Sequence, residues 1–451
     1  MSVVFLNVPP ESVKERRYDR PNYPDPALGA IYSYLKGRDV KCAVIDSKLE
    51  RLDLTGTLGK LQAFNPAVAG LTAFTHEIER TASAAAIIKN KFPGIKILIG
   101  GPHVNALPRK TLIEFPVFDI AVYGEGEETI LRLIRGRFEN LPETAGIAYR
   151  TSGEVIVNPP AGRLDMEKLF QPDWSVFPKA RYYPVFTSRG CRYKCIFCSR
   201  PFGSEIRYRP LPAVIEEIKY LRREFKARVI YFWDENLCSD RPRSVELFNR
   251  MRSDRELKGV KWFCQTHVSD LDYELLKLMR SAGCIRIGIG IESGNEDILK
   301  TIKKGNNKSR IMRAVSWLKK AGIPMEGYFL LGLPGESRKT AMETIEFAAN
   351  INPEYPVFGI VVPYPGTEIC SMAERGEAGY RIISKKWRDY NKIIGKALEL
   401  RDLRRKQLEI LQFYGYFYVL VRNLRITDIV KFIFQFHMDI KSYIVNLFQR
   451  A

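Results

Sequence analysis

The sequence predicts an α/β protein in three parts. These are a doubly wound, Rossmann-like unit over residues 1–140, a partial (β/α)6 barrel of the TIM type over residues 182–375, and a helical C-terminal region over residues 376–451. Three observations predict this order. Short apolar runs alternate with segments of helical apolar spacing, the βα signature of a parallel sheet. The alternation stops in a proline-rich stretch through QPDW and restarts near Tyr182. Beyond residue 376 strand-like runs give way to helix-like segments rich in aromatic and basic residues.

In the first unit the strands read VVFLNV, CAVIDS, VAGLTAF, ILIGG and FDIAVYG, with helices at ALGAIYSYLKGR, ERTASAAAIIKNKF and EETILRLI. GIAYR, TSGE and VIVNPP form a small hairpin inside a connection spanning residues 141–181. The second unit repeats strand and helix from YYPVFTS through VIYFWDE, KWFCQTH, RIGIGIES and MEGYFLLGL to FGIVVPY. Right-handed βα crossovers put the loops after such strands on one face, where a barrel carries its chemistry.

Composition narrows the function classes. The 451 residues, 45% hydrophobic and 27% charged, exclude a disordered or collagen-like chain. Seventy-one Lys and Arg against 51 Asp and Glu leave a net charge of +20, which favours acidic partners. The opening apolar run is too short for a signal segment, and no stretch reaches membrane-spanning length, so a cytoplasmic location is expected. Eight cysteines are too few for a disulfide framework, yet three of them crowd together.

Those three, Cys191, Cys195 and Cys198 in SRGCRYKCIFC, follow the first barrel strand directly. Thiolates select iron–sulfur clusters, zinc or copper(I). A structural zinc site needs four ligands, and Cys238 and His267 belong to later units. The CxxxCxxC spacing, with Phe197 before the last cysteine, resembles the radical S-adenosylmethionine (SAM) superfamily. The resemblance implies that the three cysteines hold a [4Fe-4S] cluster whose open iron binds SAM and cleaves it to a 5′-deoxyadenosyl radical. Later loops agree in order: WDEN with Asp234, Glu235 and Asn236 would receive the SAM amino group, and GIESG with Glu292 and Ser293 would face its ribose or methionine portion. GLPGES and PYPGTE close the fifth and sixth strands. His267, in CQTH where related sequences carry a polar segment with Arg, is the candidate acid or base, with a hydrogen-bonded rim residue as the alternative.

The first unit carries glycine-rich turns at the carboxyl ends of its strands, where open α/β sheets bind ligands. No GxGxxG follows the first strand, which argues against a dinucleotide site. With the barrel behind it, this pattern resembles the cobalamin-binding domain of the class B methyltransferase-like radical SAM enzymes, and the resemblance covers residues 1–375. It implies cobalamin contacts from Gly100, Gly101, Pro102, His103, Gly124, Glu125 and Gly126, with Phe74 and Thr75 lining the lower face. The cobalt-ligating DxHxxG segment of other cobalamin enzymes is absent.

The activity implied is methyl transfer from SAM via methylcobalamin to an unactivated carbon. Such a carbon offers no lone pair to attack SAM, so a radical must first remove hydrogen. Both cofactors would then face one cavity between the GGPH and GEGE loops and the WDEN and GIESG loops. A cobalamin-dependent cyclase or rearrangement enzyme, like the anaerobic Mg-protoporphyrin ester cyclase, and a non-catalytic cobalamin sensor are the alternatives. The resemblance further implies a small-molecule or lipid-like substrate, acidic by complementarity to the chain's charge, and an external electron donor such as ferredoxin or flavodoxin. Nucleic acid is not expected, since no zinc finger or RRM signature is present.

Residues 426–449 place Asp428, Lys431, Gln435, Asp439, Ser442, Asn446 and Gln449 on one polar stripe, with Phe432, Phe434, Phe436, Tyr443 and Phe448 on the remaining faces. Such a helix packs onto the barrel or a partner chain, or attaches peripherally to a membrane surface.

Overall fold

The computed structural model describes residues 1–11, 21–169, 171–392 and 395–434. The strands β1 (Val3–Asn7), β2 (Cys42–Asp46), β3 (Val68–Thr72), β4 (Lys96–Gly100) and β5 (Ile120–Val122) stand parallel in the order β2-β1-β3-β4-β5. This is the flavodoxin-like version of the doubly wound sheet, whose order reverses between β1 and β3 and opens a crevice at their carboxyl ends. Val3, Val4, Phe5 and Leu6 of β1 are all buried, as a central parallel strand covered by helices on both faces requires.

The hairpin expected in the connection is β6 (Ile147–Thr151) and β7 (Glu154–Val157), and it is the edge of this first sheet. β6 pairs antiparallel with β5, which brings the sheet to seven strands. Ser152 and Gly153 at its tip both have positive φ, 48° and 84°, the backbone of the two-residue turn that suits strand twist. The rest of the connection seals the sheet: Trp174 is 1% exposed. A Cβ on Gly29 would lie 2.9 Å from its ring.

β8 (Tyr183–Val185) opens the second unit, followed by the short antiparallel pair β9 (Ser188–Arg189) and β10 (Arg207–Tyr208). β11 (Val229–Phe232), β12 (Lys261–Gln265), β13 (Cys284–Glu292), β14 (Met325–Leu331) and β15 (Tyr355–Ile360) follow. With β8 they form a six-stranded parallel sheet in sequential order, the partial barrel that the six βα repeats predict. Outside the barrel, Trp262 stacks on Phe248 at 4.9 Å between ring centres.

The C-terminal region is not helical throughout. β16 (Tyr380–Ile382) and β17 (Leu398–Leu400) pair antiparallel before the helix Arg405–Arg422 begins. Strands of three residues are too short to show a period in sequence, and buried Tyr380, Leu398 and Leu400 form this pair through tertiary packing. The Arg405–Arg422 helix packs onto the barrel edge. Gln412 Nε2 donates to the Phe358 carbonyl at 2.8 Å, and Gly415 lets the two backbones approach, since a Cβ there would lie 3.0 Å from the Phe358 ring. Helical backbone resumes from 426 to 434, and the remainder of the expected tail helix, with Phe436, Tyr443 and Phe448, lies outside the described residues. No described helix is long and apolar enough to cross a membrane.

Candidate active site

The β9–β10 pair closes the neck of the loop that carries the three cysteines. Gly190 sits at that neck with φ 105°, and a Cβ there would lie 2.0 Å from the Glu205 carbonyl oxygen, so only glycine fits. Its amide donates to Glu235 Oε2 at 2.9 Å. The loop is pinned across the barrel mouth: the Ile196 amide donates to the Ile302 carbonyl at 3.2 Å, and the Ile369 amide donates to the Ile196 carbonyl at 3.1 Å.

Cys191, Cys195, Cys198 and Phe197 line one cavity of about 1040 Å³, together with Glu235, Asn236, His267 and Glu292. Burial raises all three thiols, Cys195 to about 11. Among the described residues no three His, Cys, Asp or Glu side chains converge on a single-ion site. A cube of four irons is wider than an ion and takes thiolates from one wall, which suits three cysteines on one loop.

WDEN divides its labour. Asp234 does not face the cavity; it is buried behind it and accepts from the Thr187 amide at 3.1 Å, from Thr187 Oγ1 at 2.8 Å and from Ser188 Oγ at 2.6 Å. It braces the base of the cysteine loop, a placement that sequence spacing could not separate from ligand contact. Glu235 does line the cavity, and burial pushes its carboxyl up to about 7. Asn236 bridges its neighbours: Nδ2 donates to Asp270 Oδ2 at 2.7 Å, and Oδ1 accepts from Thr266 Oγ1 at 2.8 Å and the His267 amide at 3.1 Å.

His267 is held by backbone on both ring nitrogens. Its Nδ1 accepts from the Ser269 amide at 3.1 Å, which leaves Nε2 to donate to the Lys304 carbonyl at 3.1 Å. The ring stacks on Tyr193 at 3.7 Å, and burial next to Lys304 holds it neutral, down to about 3. Both nitrogens are committed to backbone partners. Glu292 reaches the cavity from a left-handed backbone, φ 69°, at an irregularity in β13 pairing, and its carboxylate forms an ion pair with Lys304. Ser293 points away and meets Thr344 Oγ1 at 3.0 Å with no exposure.

Sequence reasoning missed Lys304, Gln265, Tyr328 and the C-terminal residues Lys406, Gln412, Phe413 and Tyr416, which also line the cavity. None stands in a spaced motif, and only folding brings them together.

At the first sheet, the loops after β3, β4 and β5 lie side by side. The Ala73 amide donates to the Gly100 carbonyl at 3.1 Å, and the His103 amide to the Ala73 carbonyl at 3.3 Å. Gly101 has φ 98°, and a Cβ there would lie 2.7 Å from Thr72 Oγ1. Pro102 starts the next short helix, and Gly126 starts the helix Gly126–Arg135. Phe74 is 51% exposed at this edge, whereas Thr75 is buried. None of these residues lines the barrel cavity. The GEGE loop instead meets the cysteine-loop neck: Arg189 donates to Glu125 at 3.0 Å and to Glu127 at 2.6 Å, and Arg207 also pairs with Glu125. Glu125 is thus spent on an interdomain ion pair, because the neck's arginines sit directly above it. The GGPH loop meets Trp387, whose ring lies 4.9 Å from that of His103.

The Radical SAM superfamily model matches residues 185–348, and the B12 binding domain model matches residues 20–134. An uncharacterized methyltransferase of Pyrococcus horikoshii is 30% identical over 451 residues, covering 96% of this chain and 95% of its own length. The chain belongs to the cobalamin-dependent radical SAM superfamily. The anaerobic magnesium-protoporphyrin IX monomethyl ester cyclase of Rubrivivax gelatinosus is 29% identical, covering 77% of this chain and 66% of its own. The fold is that of the radical SAM methyltransferase TsrM from Kitasatospora setae, at a TM-score of 0.74 and 16% identity, with 94% of this chain and 89% of that one covered.

As a member of this superfamily the enzyme uses a [4Fe-4S] cluster, SAM and cobalamin. The residues present fit all three. Three thiols with the Glu292–Lys304 pair suit the cluster and an amino-acid-bearing cofactor. Gly124, with φ 81° and open space where a Cβ would stand, leaves room for a corrin, and Phe74 is exposed at the same edge of the sheet. His103 is 0% exposed, packs its ring edge-on against Trp387, and neither ring nitrogen has a hydrogen-bond partner among the described residues.

Proposed function

We propose that this chain is a methyltransferase that moves a methyl group from SAM to an unactivated carbon of a small-molecule substrate. The observation that carries the reading is that all three cysteines of the radical SAM motif open into one cavity with largely apolar far walls. When bound, the cluster, SAM and cobalamin supply the hydrogen-abstracting radical and the methyl group.

The chain's own residues position and shield. Cys191, Cys195 and Cys198 hold the cluster, and Glu235 is the cavity carboxylate nearest the loop neck through its bond to Gly190. The Glu292–Lys304 pair presents one charge of each sign to the zwitterionic amino-acid end of SAM. Asn236 and His267 keep the β11 and β12 loops fixed to one another. Phe358, Val362 and Phe413 exclude water from the far wall, which protects a reactive radical from quenching. An external one-electron donor of the ferredoxin or flavodoxin kind would reach the cluster from the exposed side of Cys198.

The test is turnover of candidate substrates with methyl-deuterated SAM and a strong reductant, without oxygen. Product carrying the labelled methyl, with 5′-deoxyadenosine and S-adenosylhomocysteine in similar amounts, is expected. An unlabelled product with a new ring and no S-adenosylhomocysteine would move the chain to cyclisation.

A further inference from the structure

The cavity has two chemically different ends. The thiols, Glu235 and Lys304 mark one end. The other is built from the opposite edge strand, β15, and from the C-terminal helix that covers it. There Phe358, Ile360, Val362, Phe413, Tyr416 and Phe432 make an almost wholly apolar wall. Two donors at that wall are already engaged: Gln412 Nε2 and the Tyr416 hydroxyl both donate to the Phe358 carbonyl, at 2.8 and 3.3 Å.

Three exposed lysines, Lys392, Lys396 and Lys406, belong to the lining of the same cavity. None is ion-paired with a described residue. Glu409, the carboxylate that lines the same end, is held by Arg405 at 3.1 Å. Lys392 and Lys396 are fixed through their backbones: the Lys392 carbonyl accepts from the Ile360 amide at 3.3 Å, and the Lys396 amide donates to the Asp389 carbonyl at 2.8 Å. An apolar wall in a cavity also lined by solvent-exposed cations is complementary to an amphiphile, with its apolar body inside and its anionic head toward solvent. At about 1040 Å³ the cavity is as large as the upper end of small-molecule pockets, about 1,000 Å³.

We infer that the substrate is an anionic amphiphile. Its phosphate or carboxylate head sits among Lys392, Lys396 and Lys406, and its apolar body runs along the wall of Phe358, Phe413 and Phe432 toward the cysteines. This rests on the methyltransferase reading for what happens at the far end, but the binding itself does not. A lipid headgroup and a soluble long-chain phosphate share this chemistry.

Isothermal titration of the full-length chain with dodecyl phosphate, dodecanol and inorganic phosphate tests it. One dodecyl phosphate per chain, bound at least about tenfold more tightly than either fragment, is expected. Lys396→Gln with Lys406→Gln should remove that advantage while leaving dodecanol binding unchanged, and Phe413→Ser should weaken both alkyl ligands. A phosphate head that adds no affinity, or a lysine variant that binds dodecyl phosphate like the wild type, overturns the proposal. Displacement of the bound probe by phosphatidylglycerol vesicles supports it with a lipid as source; retention against vesicles supports it with a soluble ligand. No reductant is present, so the two readings fail separately. A chain that binds as expected but never cleaves SAM sinks only the methyltransferase, and one that cleaves SAM but ignores the phosphate sinks only the amphiphile.

Discussion

Glu292 and Lys304, twelve residues apart, close a nearly buried ion pair inside the barrel cavity, and Glu292 adopts a left-handed backbone to do so. Gly290 lies beside them, and a Cβ there would stand 2.0 Å from Lys304 Nζ, so any larger residue would push the ammonium head aside. Breaking a buried pair strands one charge and costs about 3–5 kcal/mol, whereas replacing both partners with apolar groups restores much of the loss. Lys304→Met should therefore lower the denaturation midpoint sharply, and the Glu292→Leu, Lys304→Met double variant should recover part of it. Both should bind SAM more weakly by equilibrium dialysis, which separates the pair's role toward SAM from its role in stability.

Iron content tests the cluster. Chain reconstituted without oxygen should carry about four irons, and Cys191→Ala, Cys195→Ala or Cys198→Ala should each abolish them. Cys264→Ala and Cys284→Ala, in buried strands, should retain iron while losing some stability. A colourless, zinc-loaded and fully folded wild type would end the cluster assignment.

The interdomain joint rests on Arg189, buried between Glu125 and Glu127. Arg189→Met leaves Glu127 buried without its cation while Glu125 keeps Arg207, a loss of about 3–5 kcal/mol. Urea unfolding should change from one transition to two as the first sheet and the barrel part company. A single transition at the wild-type midpoint would show that the joint does not couple them.

Glu336 supplies a pH dependence. It is buried against Gly332, whose amide it accepts, and desolvation raises its carboxyl from 4.5 to about 8. The folded state thus holds a proton that the unfolded chain has released above about pH 4.5, so stability falls as pH climbs toward 8. Glu336→Gln removes this term and should gain on the wild type from pH 6 to pH 8.5. Equal midpoint differences at the two pH values would contradict the assignment.

The tail yields a further test. Helical backbone from 426 to 434 leaves Ile426 and Phe434 largely exposed, while Phe432 lines the cavity. Phe432→Asp should weaken ligand binding in the cavity at unchanged fold, as judged by circular dichroism, whereas Ile426→Asp should leave binding intact.

Much of the architecture was legible because it is written in local patterns. The alternation of apolar runs and helical spacing marks each βα unit, and CxxxCxxC places three soft donors on one loop whatever surrounds it. The hairpin at 380–400 and the exact function of each WDEN residue were not legible. Asp234, Glu235 and Asn236 are adjacent in sequence, yet one braces a backbone, one faces the cavity and one ties two loops together. Side-chain direction at a strand's end depends on what the neighbouring loops present, and no spacing rule encodes that.

The sequence by itself determined the order of the two α/β units and the placing of three cysteines on one loop, because each follows from local period or spacing. Only the tertiary structure decided which charges meet. Lys304 found Glu292 and Arg189 found Glu125 and Glu127, while both nitrogens of His267 turned to backbone partners. It likewise brought Lys406 and Phe413 of the C-terminal helix to the cavity wall. A buried charge or ring takes whichever partner packing delivers, and packing is settled by contacts between residues far apart in the chain.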